Sequence, residues 1–274
     1  MVCAWDALLG VIPQWLRGKV NCEERDSLLE IRLRINAFPE LVFEDGFQWY
    51  EREIHQEDLL FCINTASKYS PWSATTIAQG YLTAPGGHRI GICGEGVCRD
   101  GNMSGIREVE SLCIRVAKDF PGIAGNISTG KNTIILGAPG WGKTTVLRDL
   151  IRQKAEKKTV AVADERRELF PTGFQRGRRM DVLTGVPKPQ AIERLLRTMG
   201  PNYIAMDEVT AEEDCKALYY AASCGVYLLA SAHASSLEDF YNRPVYKMLY
   251  RMQLFDTVVI LRPDRTFRTE RMDK

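Results

Sequence analysis

The stretch NTIILGAPGWGKTT, Asn132 to Thr145, runs a short apolar segment into a glycine-rich turn that ends in Lys-Thr-Thr. It fits the pattern G-x-x-x-x-G-K-[ST], and the residues after it, VLRDLIRQKAEKK, have helical spacing. Glycines in such a turn let successive backbone N–H groups wrap a phosphate, and the N-terminus of the following helix adds positive potential at the same place. Gly137, Ala138, Pro139, Gly140, Trp141, Gly142, Lys143, Thr144 and Thr145 are therefore the expected nucleotide-binding set. Lys143 should reach the β- and γ-phosphates, and the Thr144 hydroxyl should bind Mg²⁺, so ATP and Mg²⁺ are the expected ligands. Trp141 should pack beside the nucleotide or against a neighbouring chain.

Working outward, four more apolar runs follow: TVAVAD (159–164), NYIAMDE (202–208), YLLASAH (227–233) and DTVVIL (256–261). Near-continuous apolar strands separated by helical patterns imply a parallel sheet covered on both faces. A nucleotide-bound Mg²⁺ needs a carboxylate at the end of a neighbouring strand, and YIAMDE supplies Asp207 for the metal. Glu208, next to it, is the expected general base for the attacking water. One strand lies between the phosphate-loop strand and the Asp-Glu strand, and two follow. That is the order expected of the branch of P-loop proteins that carries a catalytic glutamate, in which the strand after the Asp-Glu strand inserts between it and the phosphate-loop strand. His233, at the end of YLLASAH, should then sit beside the γ-phosphate. A neutral imidazole there would donate an N–H to that phosphate or to the attacking water.

The residues before about 120 read differently. A helical N-terminus precedes EIRLRI (30–35), whose strict alternation fits a half-buried strand, and LVFEDGFQWY carries an Asp45-Gly46 hairpin signal. EDLLFCINTASKY has helical spacing, YLTAPGGHRIGICGEGVC reads as two strands turned at Gly86-Gly87, and SLCIRVA (111–117) as a further strand. The expected organisation is an α+β N-terminal domain over 1–120, a linker rich in Pro, Gly, Ser and Asn over 121–131, and an α/β domain over 132–274. The glycines of GHRIGICGEG precede no helix, so no second phosphate site is expected there.

Composition narrows the function classes. The 274 residues carry 36 Lys and Arg against 35 Asp and Glu, a net charge of +1, so no global field draws the chain to nucleic acid. No run approaches the roughly 18 apolar residues of a membrane span. The N-terminus lacks the form of a signal peptide. Eight scattered cysteines with no CxxC pair read as buried thiols in a reducing cytosol. The basic run FQRGRRMD (174–181), with Arg176, Arg178 and Arg179, reads as an exposed loop.

The phosphate loop, an acidic box ADERREL (163–169), the Asp-Glu strand and a histidine box SAHAS (231–235) together resemble the four motifs of the type II/type IV secretion ATPase superfamily. Within it, LTAPGGHRIGICGEG, DVLTGVPKP and RTMGPNYIAMDEVT, with the overall length, are similar to the stage III sporulation protein AA ATPases. The resemblance implies a RecA-like P-loop NTPase core with a smaller α+β N-terminal domain. It implies that Asp164 helps order Mg²⁺ and that Glu165 acts in catalysis. It implies a cytoplasmic ATPase, peripheral to the membrane through a protein partner, working as a homo-oligomeric ring, a hexamer favoured, on the cytoplasmic segments of a membrane-embedded sporulation complex. No stable nucleic-acid binding and no direct membrane insertion are expected, and no four-cysteine zinc module is present. Arginines would complete the site from a neighbour or from the small domain, with Arg89, Arg107, Arg115, Arg194 and Arg197 as candidates among which the residues alone do not choose. Two other readings stay open: a nucleic-acid-handling P-loop ATPase, and a nucleotide-dependent scaffold with little turnover.

Overall fold

A computed structural model of the chain describes residues 1–21, 23–67, 80–99 and 102–272. Cys22, the last two residues of EDLLFCINTASKY and residues 273–274 lie outside them. The chain forms two compact units, residues 1–119 with 172–174, and residues 120–171 with 175–274.

The first unit runs β1 (Val2–Cys3), α1 (Trp5–Val11), α2 (Gln14–Val20), β2 (Leu28–Arg34), β3 (Glu40–Phe43), β4 (Gly46–Trp49), α3 (Gln56–Ser67), β5 (Tyr81–Thr83), β6 (Arg89–Arg99), β7 (Asn102–Arg115) and β8 (Lys118–Asp119). A six-stranded antiparallel sheet has the order β4-β3-β2-β7-β6-β5. In β2 the alternation read from EIRLRI buries Ile31 and Leu33, which pack with Leu8, Leu16, Leu59, Ile90 and Ile114 into one core. The β3–β4 turn falls on Glu44 and Asp45, one residue before the Asp-Gly signal, with Gly46 already paired to Phe43. His88 is fully buried; its Nδ1 accepts from the Ala117 N–H at 3.1 Å while Nε2 donates to the Ala4 carbonyl at 3.2 Å. Burial holds this imidazole below its ordinary pKa, so it stays neutral.

The second unit runs β9 (Thr133–Leu136), α4 (Lys143–Ala155), β10 (Val160–Asp164), β11 (Met180–Thr184), α5 (Lys188–Met199), β12 (Tyr203–Val209), α6 (Glu212–Ser223), β13 (Tyr227–Ala232), α7 (Leu237–Asn242), α8 (Pro244–Arg251), β14 (Thr257–Leu261) and β15 (Phe267–Arg271). Its seven-stranded sheet has the order β11-β10-β12-β13-β9-β14-β15, parallel except for β15. Successive strand residues face opposite sides. Ile134, Leu136, Ile204 and Met206 therefore pack with Ile192, Leu218 and Leu249 of α5, α6 and α8, while Ile135, Ala205 and Leu229 pack with Leu147, Leu150 and Ile151 of α4. Both faces are covered, which explains why these strands lack polar alternation. β13 lies between β12 and β9, as its place after the Asp-Glu strand predicts.

Two edge strands were not foreseen. β11 follows directly on the basic run, which is therefore part loop and part strand, and the charged FRTER of β15 pairs back on β14. Residues 121–131 are tied down: the Gly122 and Ala124 N–H groups donate to Asp149 of α4 at 2.9 Å each, and Ala124 and Ile127 are buried in the core. The cysteine reading needs correction. Cys62 and Cys215 are buried, but Cys93, Cys98 and Cys224 are exposed, because they fall on the long β6 hairpin arm and at the end of α6 rather than on core positions; no disulfide forms among the described residues.

Candidate active site

The glycine-rich turn leaves the carboxyl end of β9 and becomes α4 at Lys143. Gly140 and Gly142 have φ of 80° and 93°, left-handed values that a side chain would make costly. The side chains that gather there come from the carboxyl ends of three adjacent central parallel strands, β12, β13 and β9, and from the start of α4.

Thr144 Oγ1 donates to Asp207 Oδ2 at 2.7 Å, and Ser231 Oγ donates to the other oxygen, Oδ1, at 2.5 Å. The two hydroxyls fix the plane of the carboxylate. Lys143 Nζ donates to the Ala138 carbonyl at 3.1 Å and to His233 Nδ1 at 3.0 Å. His233 Nε2 in turn donates to Glu208 Oε1. With Nδ1 accepting and Nε2 donating, the imidazole is the neutral Nε2–H tautomer. Its pKa is lowered by burial first and by the Lys143 charge second, against the raising pull of Glu208 and Asp207. Burial also lowers the Lys143 ammonium, with Glu208 and Asp207 opposing. The expected N–H of His233 is thus present, but it points at the general-base candidate.

The His233 backbone is held too. Its N–H donates to the Tyr246 hydroxyl at 3.1 Å, and that hydroxyl donates to the Val209 carbonyl at 3.2 Å, so one buried phenol ties the ends of β12 and β13 together.

The acidic box closes β10 beside this cluster. Asp164, Glu165, Arg166 and Glu168 share a cavity of about 150 Å³ with Lys188, Asp207, Glu208 and Thr210. Asp164 itself does not point a free carboxylate at a metal. It is buried, its Oδ1 accepts from the Glu168 and Leu169 N–H groups at 2.8 and 3.2 Å, and its Oδ2 accepts from Phe170 at 2.9 Å. A metal role for Asp164 would compete with three donors, so here it staples the acidic-box loop. Glu165 is exposed, with Oε2 3.4 Å from the Lys188 amide.

The donor set fits Mg²⁺. Thr144 and Asp207 are hard oxygen ligands within hydrogen-bond distance of each other, and no group of three or more metal-binding side chains occurs among the described residues. An ion held by one carboxylate, one hydroxyl and substrate phosphates is the arrangement Mg²⁺ accepts.

Within the second unit, the arginine candidates do not join this cluster. Arg194 and Arg197 are exposed on α5, with Arg197 paired to Glu193 at 2.7 Å. In the first unit Arg89 lies over the Tyr81 ring, Arg107 pairs with Glu95, and Arg115 with Glu30 at 3.4 Å. Trp141 is half-buried against the core beside α4. Three residues of the cluster escaped the sequence reading: Ser231, Tyr246 and Lys188. Ser231 opens SAHAS and Lys188 lies in DVLTGVPKP, stretches noted for their resemblance with no role given to either residue, while Tyr246 left no signal.

Residues 10–269 match the family described as sporulation stage III, protein AA. The chain is 33% identical over 268 residues to the stage III sporulation protein AA of Bacillus subtilis (strain 168), covering 90% of this chain and 87% of that protein. It is 26% identical over 253 residues to an uncharacterized protein, ycf45, of Porphyra purpurea, covering 87% of this chain and 42% of that one. Among solved structures it is similar to the Legionella pneumophila ATPase DotB, with a TM-score of 0.59 at 15% identity, covering 94% of this chain and 79% of that one. It is also similar to the pilus retraction motor PilT with bound ADP, with a TM-score of 0.56 at 12% identity, covering 88% and 76%. These likenesses show the fold, an α/β RecA-like core with a smaller α+β N-terminal domain. The chain belongs to the sporulation stage III protein AA family.

Proposed function

We propose that this protein binds ATP with Mg²⁺ and hydrolyses it, as a motor acting on a membrane-embedded sporulation complex. The observation that carries this reading is the convergence of Lys143, Thr144, Asp207, Glu208 and His233 in one hydrogen-bonded cluster at the carboxyl ends of β9, β12 and β13.

Loop amides from Gly137 to Thr145 and the ammonium of Lys143 bind the phosphates, and the α4 N-terminus adds its positive end. Thr144 and Asp207 hold Mg²⁺, which neutralises charge on the phosphates when bound. Glu208 accepts the proton of the attacking water. His233 keeps the Glu208 carboxylate oriented and links it to Lys143, so the base and the phosphate-binding lysine share one imidazole. A third phosphate would draw Lys143 toward itself and so be felt by Glu208.

The division into an N-terminal domain over 1–120 and a P-loop domain over 132–274 enters as part of this proposal, supported by the two compact units, with the expected linker 121–131 packed into the second. Arginines from the N-terminal domain or a neighbouring copy complete the site, and the assembly is a cytoplasmic hexameric ring docked through a protein partner. The family membership and the secretion-ATPase fold support this, and no described helix is long and apolar enough to cross a membrane. Three measurements on the full chain test it: Mg²⁺-dependent phosphate release, molar mass with and without ATP, and pull-down with cytoplasmic segments of candidate membrane partners. Absence of ATP binding by the purified chain would refute the reading.

A further inference from the structure

Glu208 departs from the strand that carries it. Its φ is 49°, a left-handed value uncommon for a residue with a β-carbon, and the pairing of β12 with β13 shifts register between Met206 and Val209 at the same point. Such backbone persists only where the surroundings hold it. The holders are visible on both sides of the residue. The Glu208 N–H donates to Ser231 Oγ at 2.9 Å, and the Glu208 carbonyl accepts from Lys188 Nζ at 2.5 Å. The same ammonium pairs with Asp214 Oδ2 at 3.0 Å and lies 3.3 Å from Thr210 Oγ1, while Asp214 accepts from the Thr210 N–H at 2.9 Å. Ser231 is fully buried, and the Lys188 side chain is only 13% exposed, so neither contact is a passing surface pair.

Resting on the assignment of Glu208 as general base, we propose that Lys188 and Ser231 are positioning residues. They form a two-sided clamp on the Glu208 peptide that holds its backbone left-handed and so aims its carboxylate at His233 and the phosphate loop. Without the bulge, residue 208 would continue the strand and follow its alternation onto a face of the sheet. The bulge turns it out at the carboxyl end, where Asp207 and Glu208 serve the same cluster despite being adjacent in sequence. Lys188 therefore acts from the start of α5 through the Glu208 carbonyl, with its charge paired to Asp214. Ser231 acts on both acidic residues at once, since its proton goes to Asp207 while its lone pair takes the Glu208 N–H. The lysine of DVLTGVPKP is thereby coupled to the chemistry of the Asp-Glu strand.

The test uses the full chain and a double-mutant cycle. Lys188→Met should lower kcat by about tenfold or more while the dissociation constant of a fluorescent ADP analogue stays within about threefold. In a Glu208→Gln background the same substitution should change the residual turnover by less than about twofold, because the residue it positions no longer acts. A lysine that merely joins α5 to α6 through Asp214 would instead give losses that multiply. Hydrogen exchange supplies a readout free of activity: both Lys188→Met and Ser231→Ala should accelerate exchange in peptides spanning Met206–Thr210, with β9 and β10 unchanged. Wild-type kcat in Lys188→Met, multiplying losses, or unaltered exchange at 206–210 overturns the clamp. Should Lys188→Met fold poorly, the Ser231→Ala exchange map decides alone. If the wild-type chain hydrolyses no ATP, the proposed function fails while the exchange result still settles the clamp.

Discussion

Removing the imidazole of His233 isolates the central link of the cluster. In His233→Ala two hydrogen bonds disappear, one from the Lys143 ammonium to Nδ1 and one from Nε2–H to the Glu208 carboxylate. Hydrogen bonds to charged groups contribute about 1.5–3 kcal/mol each when well shielded. Here the His233 and Glu208 side chains are 32% and 31% exposed, so solvent screening brings the Glu208 bond toward the lower figure. Lys143 keeps its bond to the Ala138 carbonyl, so nucleotide binding should survive within a fewfold. What is lost is orientation of the base, at about 1.4 kcal/mol of transition-state stabilisation or more, which is at least tenfold in kcat. The assay is steady-state phosphate release beside nucleotide titration on the same preparation. A pH series adds a second check. Because the folded imidazole is held below its ordinary pKa of about 6.5, it is neutral at pH 7, and turnover should fall only as the pH drops through that depressed value. The acid limb should flatten in His233→Ala. Normal hydrolysis with a lowered melting temperature would refute this reasoning and leave His233 a packing residue at a strand end.

Lys143→Ala should abolish ATP binding in an equilibrium titration, since it removes the ammonium that lies at the loop carbonyl and His233. Glu208→Gln should bind nucleotide normally and lose about two orders of magnitude in turnover or more, the usual contribution of a general base; near-normal turnover would move that role elsewhere. Asp149→Ala removes the acceptor for Gly122, Ala124 and the nearly buried Arg152, whose guanidinium sits 3.0 Å away. Losing these bonds to one buried carboxylate should cost about 3 kcal/mol and lower the melting temperature by about 6–12 °C, read by calorimetry. His88 should make the chain acid-sensitive: its folded pKa is depressed by burial, so the unfolded chain binds more protons as pH falls. Its contribution is complete above about pH 6.5 and shrinks below it, and His88→Gln should reduce the slope of melting temperature against pH between 7 and 5.

Much of the candidate site could be read along the chain because its parts are local. Gly137–Thr145 is a continuous segment whose pattern lies within nine residues, and the apolar runs that end in Asp207-Glu208 and His233 are legible because a strand buried on both faces admits little but Val, Ile, Leu and Ala. Edge strands escape this logic. β11 and β15 are covered on fewer sides, so their residues need not be apolar and FRTER does not announce a strand. Asp164 shows the converse limit. Its place at the end of β10 was evident, but whether its oxygens face a metal or the three amides of Glu168, Leu169 and Phe170 depends on how the chain turns after the strand.

The sequence by itself determined the glycine-rich loop, the parallel core, the place of β13 between β12 and β9, and which residues close those strands. Each is a pattern over a few residues or a fixed succession of such patterns, and local sterics and burial leave it little freedom. Only the tertiary structure decided that His233 bridges Lys143 and Glu208, that Ser231 grips both Asp207 and the Glu208 amide, that Tyr246 ties β12 to β13, and that Lys188 reaches the Glu208 carbonyl. These partners lie from 13 to 90 residues apart. Their meeting is set by sheet register and by a one-residue bulge, where a slip of a single position would turn every side chain to the opposite face.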